Sequence, residues 1–373
     1  MMKNITKNAQ ITNLTVNPEL LASLAPINSL LEGYQSELVK LCRKTVVFAG
    51  NVIATGNDTS EVVYLLSGDG LMVSDAAEPV QVKGRNLRLP LNNYLARGVS
   101  LHAQTDCSVL KLPAETLDNF LTWSQMAEYL ILDLASRPEF ADNQLWVTAI
   151  LKSNLFFKIP PINVPTIFTK LSTRVVDAGE VILRQGELGN SCFFIKEGTA
   201  TVTRREEGAR QSLTLANIGV GRCFGEDALL KSTTRNATVT MTSNGVLMEL
   251  QKEDFLVLLK EQPVAAIDFS QIPVGALIVD VRSSEEYAQG HLPFAANIPL
   301  NLLRLKQRLL RPDQLIIFYC NTGRRSRSAA DLLNRQGFQA AHIGGGVCWQ
   351  DFSVNGCWAN EDVVLNSMRQ EGR

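Results

Sequence analysis

Short apolar runs separated by glycines fill the first two-thirds of the chain, and their pattern occurs twice. The sequence of residues 46–53 recurs at 175–182 with two residues changed, Phe48 to Asp177 and Asn51 to Glu180. In both copies a glycine follows, and a second glycine comes twelve residues after it, at the end of a short apolar run. Matched spacing of this kind predicts an internal repeat. Apolar runs between glycine turns are typical of an antiparallel β-barrel or jelly roll.

Each repeat ends in the same way. The apolar runs 109–112 and 247–250 both lead into a segment with the hydrophobic periodicity of a helix. A helical, apolar connector from about 126 to 157 joins the copies, and Pro138 should break it into two helices. We therefore expect two all-β jelly-roll barrels with flanking helices.

From about Asp268 the pattern changes to that of an α/β domain. Residues 276–279 and 315–319 are uninterrupted apolar runs of strand length, as in a parallel sheet that is buried on both faces. Residues 283–286 fit a capping box that begins a helix after the first run. Residues 326–336 are expected to form a helix after the second run, because the pattern stops at a glycine.

A chain of 373 residues is long enough for three such domains, which we place at 1–137, 138–264 and 265–373. A net charge of -1 gives no reason to expect a nucleic-acid partner. The sequence has no apolar run of about 18 residues, and the first ten residues lack the apolar segment of a signal peptide, so we expect no membrane partner. Seven scattered cysteines without a CxxC pattern favour free thiols in the cytoplasm and give no metal site.

Residues 224–239 lie between the halves of the second repeat and carry a pattern suited to a phosphate. Arg235 can meet a singly charged cyclic phosphate with two parallel hydrogen bonds, and Gly225 lets the backbone approach closely. Glu226, which only accepts hydrogen bonds when ionised, suits a ribose hydroxyl. Ala228 and Leu229 would open a short helix whose free N–H groups point at the anion.

This segment strongly resembles the phosphate-binding cassette of cyclic-nucleotide-binding domains, in which an arginine stands nine residues after the glutamate of Phe-Gly-Glu. The resemblance implies cyclic AMP or cyclic GMP as a regulatory ligand, with no other cofactor required. Asp227, Thr234 and Asn236 depart from the usual pattern, which leaves open a barrel that keeps the fold and binds no nucleotide. The resemblance implies six nucleotide-binding residues: Gly225, Glu226, Ala228, Leu229, Arg235 and Asn236. Asn236 follows the arginine, at a position where base preference can be influenced.

The first repeat lacks this pattern. Its equivalent stretch, 86–105, contains Arg88 and Arg97 but no Phe-Gly-Glu. We therefore expect a degenerate first barrel without a nucleotide.

Cys320 follows the second apolar run of the α/β domain, in the loop Cys-Asn-Thr-Gly-Arg-Arg-Ser that leads to a helix. Ligands of open α/β sheets bind at the carboxyl ends of such strands. The loop N–H groups, the helix N-terminus, Arg324 and Arg325 favour an anion, and this field favours a thiolate over a thiol. Cys348 and Cys357 have no such surroundings and are interpreted as packing residues.

The domain resembles rhodaneses. Asp280-Val281-Arg282, Glu286 and His291-Leu292-Pro293 match a typical rhodanese stretch, and a Gly344-Gly345-Gly346 ending with Trp349 also matches. The resemblance implies sulfurtransfer, with Cys320 as the nucleophile that carries a persulfide, and Asp280, Arg282 and His291 as scaffold. The resemblance also assigns a catalytic role to Arg325 and Arg324. It places the remaining loop residues in the substrate loop: Asn321, Thr322, Gly323 and Ser326.

The favoured function is therefore a thiosulfate-type sulfurtransferase regulated by cyclic nucleotide, whose partners are a sulfane-sulfur donor and a thiol or other nucleophilic acceptor. An alternative is a nucleotide sensor in which the rhodanese domain only binds partners. A transcription factor is disfavoured because no helix-turn-helix follows the second barrel. A phosphatase or arsenate reductase is disfavoured because such loops carry arginine six residues after the cysteine, where Ser326 stands. The sequence leaves the oligomeric state open, so an oligomer is possible.

Overall fold

The computed structural model describes most of the chain, and the described part forms two compact units. One unit consists of residues 1–125 and 264–373, and the other of residues 126–263. Pro138, Arg97, Trp349, Cys348 and Cys357, on which some expectations depend, lie outside the described residues. The described residues are 16–58, 60–74, 78–84, 88–91, 95, 98–135, 144–151, 159, 163–206, 208, 211–260 and 263–346.

The first unit begins with helices that precede a barrel of two antiparallel sheets. One sheet has the strand order β1-β7-β3 and the other β2-β6-β4-β5. Buried aliphatic side chains from both sheets fill the space between them. The elements are α1 (Pro18–Ala22), α2 (Glu32–Leu41), β1 (Arg43–Val47), β2 (Val52–Thr55), β3 (Glu61–Ser67), β4 (Asp69–Val73), β5 (Val80–Lys83), β6 (Ser100–Ala103), β7 (Cys107–Pro113) and the long helix α3 (Ala114–Ala135), of which residues 114–125 belong to this unit.

The second unit contains the second barrel, with the strand orders β13-β10-β15-β8 and β12-β11-β14-β9. Its core is formed by buried apolar residues of both sheets, among them Phe193, Ile195, Val239 and Leu247. The elements are α4 (Gln144–Leu151), α5 (Val164–Lys170), β8 (Ser172–Val176), β9 (Val181–Leu183), β10 (Ser191–Glu197), β11 (Ala200–Arg204), β12 (Leu213–Ile218), β13 (Cys223–Phe224), α6 (Glu226–Lys231), β14 (Thr238–Met241), β15 (Gly245–Gln251) and α7 (Lys252–Leu258).

Among the described residues, the two barrels share the order of seven strands, which confirms the repeat. Strands β1, β7 and β3 correspond to β8, β15 and β10, and the second sheets correspond in the same way. The equivalent strands β3 and β10 both contain a register shift, after Leu65 and after Ile195. A glycine with positive φ then follows in each, Gly68 at 95° and Gly198 at 92°. An added Cβ at either glycine would lie within 3 Å of neighbouring backbone, so both the conformation and the space require glycine.

The C-terminal part of the first unit is an α/β domain with five parallel strands in the order β16-β20-β19-β17-β18. The central strand β19 is buried at all four positions, as its uninterrupted apolar run predicts. The capping box forms between Ser283 and Glu286, which confirms the predicted helix start. The elements are β16 (Ala266–Ile267), β17 (Leu277–Asp280), α8 (Ser284–Gln289), β18 (Ala296–Asn297), α9 (Leu303–Lys306), β19 (Ile316–Tyr319), α10 (Arg324–Asn334) and β20 (Ala340–Ile343).

Helix α10 begins two residues earlier than expected and ends before Gly337, whose φ is +86°. Within the described ranges, no helix combines the length and apolar character that crossing a membrane requires.

Candidate active site and nucleotide cassette

Cys320 lies directly after the central strand β19, in the loop that leads into α10. Its side chain is fully buried. The Gly323 backbone N–H donates to Cys320 Sγ at 3.1 Å, and the Ser326 hydroxyl lies 3.6 Å from the same sulfur. Gly323 adopts φ +89° at the start of α10, and this turn aims its N–H at the thiol. The arrangement directs a backbone hydrogen-bond donor at the sulfur of Cys320.

Arg325 does not face solvent. Both of its terminal nitrogens donate to the carboxylate of Glu286 on α8, at 2.7 and 2.9 Å, and both side chains are 1% exposed. Burial acts to raise the pKa of Glu286, but the charge and hydrogen bonds of Arg325, with smaller contributions from Arg282 and Ser283, lower it to about 2. Burial alone would lower the pKa of Arg325, and Glu286 reverses this, so the pKa is raised. This bidentate pair ties the start of α10 to the start of α8.

Glu286 also holds other parts of the loop. Its carboxylate accepts the Ser283 backbone N–H at 3.0 Å within the capping box and the Asn321 side-chain amide at 3.3 Å. Motif reasoning gave this glutamate no role in the site, although two signals pointed to it: the capping box and its place in the rhodanese-like stretch. One buried carboxylate thus orients both the Cys320 loop and the helix that carries Arg325.

A second buried ion pair supports the loop from the side of β17. Arg282 donates to both oxygens of Asp280 and is 2% exposed. Another of its terminal nitrogens donates to the Asn321 side-chain oxygen at 3.1 Å. Asn321 is therefore held at both ends of its amide, which fixes the residue next to Cys320. The expected scaffold role of Asp280 and Arg282 agrees with these contacts.

The glycine segment after β20 packs against the Cys320 loop. An added Cβ on Gly346 would lie 2.4 Å from the Asn321 carbonyl oxygen, and one on Gly323 would lie 3.1 Å from the Gly346 nitrogen. Backbone therefore meets backbone at this contact, and no side chain fits between the two segments.

The outer side of the loop contacts the first part of helix α3, residues 114–125, which follows the first barrel within the same unit. Arg324 donates to Glu115 at 2.6 Å and to the Asn119 side-chain oxygen, and the Thr322 hydroxyl donates to Asp118. Asp118 is 5% exposed. Burial raises its pKa, although Arg325, the Thr322 hydrogen bond and Arg324 act in the opposite direction. No loop motif could reveal these partners, because they lie about two hundred residues earlier in the chain.

The sequence-predicted cassette of the second barrel forms one continuous turn. Gly225 links β13 to α6 with φ +91°, and Glu226 begins the helix. Arg235 is buried, and its two terminal nitrogens donate to the carbonyl oxygens of Gly225 and Ser191, both at 2.6 Å. Burial lowers the pKa of Arg235, while Glu187 and Glu226 are among the groups that act to raise it.

Two glycines make room for this guanidinium. An added Cβ on Gly225 would lie 2.8 Å from an Arg235 terminal nitrogen, and one on Gly189 would lie 2.9 Å from Arg235 Cζ. Gly189 is a cassette residue that the linear motif did not include. Ala228 and Leu229 are buried in α6, and Asn236 is exposed beside Arg235.

The corresponding region of the first barrel is built differently. Arg88 donates to the Ser23 carbonyl oxygen at 3.0 Å and so serves the packing of the N-terminal segment. Among the described residues of this barrel, no strand corresponds to β13. These features agree with a degenerate first copy.

Two classes of domain follow from this architecture: a cyclic nucleotide-binding domain and a rhodanese-like domain. A family model for the cyclic nucleotide-binding domain matches residues 173–262. A model for the rhodanese-like domain matches residues 265–349.

Proteins that are similar to this chain in sequence include several named for cyclic nucleotides. The cyclic AMP receptor protein of Thermus thermophilus is 30% identical over 41% of this chain and 70% of its own length. A cyclic nucleotide-gated potassium channel of Rhizobium etli is 32% identical over 39% of each chain. A similar channel of Mesorhizobium japonicum is 34% identical over 35% of this chain and 34% of its own. The chain thus spans well under half the length of either channel, and it belongs to the cyclic nucleotide-binding family, with a rhodanese-like domain after the second barrel.

Solved structures give weaker matches. The regulatory domain of Toxoplasma gondii PKA with cAMP aligns with 65% of this chain and 90% of its own, at 18% identity and a TM-score of 0.24. The Thermus thermophilus catabolite activator protein aligns with 28% of this chain and 49% of its own, at 31% identity and a TM-score of 0.26. Because both TM-scores are low, the fold assignment rests on the strand order described above.

Proposed function

We propose that the rhodanese-like domain is a sulfurtransferase that carries sulfur as a persulfide on Cys320. The observation that supports this most directly is the Gly323 N–H that donates to Cys320 Sγ at the carboxyl end of the central parallel strand. A backbone donor in a buried loop stabilises the negative charge of a thiolate, the form of Cys320 that attacks a sulfur donor.

The proposed exchange has two steps. The Cys320 thiolate attacks the sulfane sulfur of a donor such as thiosulfate, a new S–S bond forms, and sulfite leaves with the electron pair of the broken S–S bond. An acceptor nucleophile, such as cyanide or a thiolate, then attacks the outer sulfur of the persulfide and releases the Cys320 thiolate. No external oxidant or reductant is consumed.

Turnover with thiosulfate and cyanide, together with mass spectrometry of the intact chain, tests this proposal. We expect one added sulfur on Cys320 after thiosulfate treatment, and loss of both persulfide and turnover in Cys320→Ser. Cys223→Ser removes a half-buried thiol of the second barrel and should leave both unchanged. Sulfur found on Cys348 or Cys357 would contradict the assignment.

We further propose that cyclic AMP or cyclic GMP binds the second barrel at one site per chain and regulates the transfer. The buried Arg235 and the two glycines that make room for its guanidinium support this site. A cyclic phosphate would compete with the carbonyl oxygens of Gly225 and Ser191 for that guanidinium. Calorimetry should detect one site, which Arg235→Ala removes and Arg204→Ala, a change at an exposed arginine on β11, leaves intact.

We propose that saturating nucleotide changes donor affinity at Cys320 by at least about fivefold, the lower end of typical coupling. By reciprocity, a bound donor analogue would change nucleotide affinity by the same factor. Identical nucleotide titrations with and without the analogue would refute regulation and leave the transferase proposal standing.

One observation favours a second candidate, a nucleotide sensor whose rhodanese-like domain only binds partners: Cys320 is fully buried. In that case thiosulfate treatment would add no sulfur to Cys320 at any concentration, while nucleotide binding would persist.

A further inference from the structure

The charge around the Cys320 loop differs from what the loop sequence alone suggests. The loop contributes two positive charges, from Arg324 and Arg325. Arg325 is paired with the buried Glu286, and Arg324 with the largely exposed Glu115. Asp118 then adds a third carboxylate beside the same two arginines. These five side chains together have a formal charge of -1, two positive against three negative.

Asp118 contacts the hydroxyl and guanidinium groups of the loop to which an anionic donor could otherwise bind. Its carboxylate accepts the Thr322 hydroxyl, and its two oxygens lie 3.6 Å from Arg324 Nε and 3.7 Å from Arg325 Nε. Arg325 Nε is buried and has no hydrogen-bond partner among the described residues, and an Asp118 carboxylate oxygen lies 3.7 Å from it. A small anion approaching Cys320 would meet this carboxylate in a buried setting, where charges are weakly screened.

We propose that Asp118 is a specificity-determining residue, which disfavours small anionic sulfur donors such as thiosulfate and selects donors without charge next to the sulfane sulfur. This inference rests on the proposed sulfurtransferase function. It assigns to helix α3 of the degenerate first barrel a role in the chemistry of the C-terminal domain.

A charge-matched pair of alkylating reagents tests the inference without requiring sulfur transfer. Iodoacetate is anionic and iodoacetamide is neutral, and with both the Cys320 thiolate forms an S–C bond while iodide leaves. The ratio of their rates at Cys320, measured by mass spectrometry and normalised to a free thiol in solution, cancels any change in thiolate fraction. It therefore reports how strongly the site rejects a negative charge.

In Asp118→Asn, which keeps the shape and an acceptor for Thr322, we expect the preference for iodoacetamide to fall at least about tenfold, or about 1.4 kcal/mol. Glu115→Gln should change it less, because Glu115 is 75% exposed and screened by solvent. Asp313 is exposed and precedes the start of β19, whereas Cys320 follows the end of that strand. Asp313→Asn should therefore leave the preference for iodoacetamide unchanged.

Equal acceleration of both reagents in Asp118→Asn would overturn the inference, since Asp118 would then only cover the thiol. An unchanged preference, equal effects of Asp118→Asn and Glu115→Gln, or failure of either reagent to reach Cys320 in both proteins would overturn it as well. If transfer occurs, the apparent KM for thiosulfate should also fall at least about tenfold in Asp118→Asn, with kcat little changed. If no persulfide forms, the alkylation ratio still decides the role of Asp118.

Discussion

The buried Arg325–Glu286 pair gives the sharpest prediction about stability. Glu286→Gln keeps the shape of the side chain but leaves the Arg325 charge without its bidentate partner in a site that is 1% exposed. Removing one member of a buried ion pair costs about 3–5 kcal/mol. The pKa of Glu286, lowered by Arg325 from an ordinary 4.5 to about 2, has the direction that a stabilising partner produces. We therefore expect the free energy of unfolding of the C-terminal domain to drop by about 3–5 kcal/mol.

The sign of the pH dependence follows from the direction of this shift. Because the pKa of Glu286 is lower in the folded protein, its contribution is complete above about pH 4.5 and is lost as the pH falls toward 2. The difference in unfolding free energy between the wild-type protein and Glu286→Gln should therefore shrink by about 2 kcal/mol from pH 5 to pH 3.

Urea unfolding followed by pulsed hydrogen exchange of β19 peptides measures this domain separately from the barrels. Glu285→Gln is the matched control on the same helix. Its side chain is exposed, so we expect a change within about 0.5 kcal/mol. A loss below about 1 kcal/mol in Glu286→Gln at pH 7, or a difference that stays constant with pH, would refute the reasoning.

Two further predictions concern the loop and the cassette. Arg325→Ala should abolish persulfide formation and destabilise the domain, whereas Arg324→Ala, at a side chain that is 39% exposed, should leave the fold intact. Domain stability and persulfide yield are measured for both variants. Equal effects of the two substitutions would contradict the prediction. Gly189→Ala should weaken nucleotide binding at least about fivefold by displacing Arg235. Gly219→Ala, whose added Cβ would meet only one atom at 3.9 Å, should leave the affinity unchanged. Calorimetry measures both affinities, and an unchanged affinity in Gly189→Ala would contradict the prediction.

The regular elements were predictable because they repeat a local pattern. Matched apolar runs and glycines predicted both barrels, and the register shifts after Leu65 and Ile195 show that the two copies share details the pattern did not specify. In the same way, the uninterrupted apolar run before Cys320 predicted a central parallel strand. Such signals arise from burial on one or both faces of a strand, which each segment reveals by itself.

The partners of the loop side chains could not be predicted, because they depend on which surfaces meet in the folded chain. Asp118 and Glu115 lie on a helix whose pattern indicates only an amphipathic segment, yet both contact the Cys320 loop. Gly189 precedes the cassette by more than thirty residues, and only the folded barrel brings it against Arg235. Long-range contacts between charged groups leave no periodic trace in a single sequence.

The loop arginines therefore have a different physical role from the one that their sequence suggests. Two arginines after a cysteine indicate a positive field for an anion, but the carboxylates of Glu286, Glu115 and Asp118 offset that charge. Stabilisation of a thiolate then depends on the Gly323 N–H, a neutral donor fixed by backbone geometry at 3.1 Å from the sulfur. A dipole held in this way stabilises the charge on sulfur without creating a general attraction for anions. Under the proposed sulfurtransferase function, the loop would present a thiolate while remaining selective about the charge of the donor.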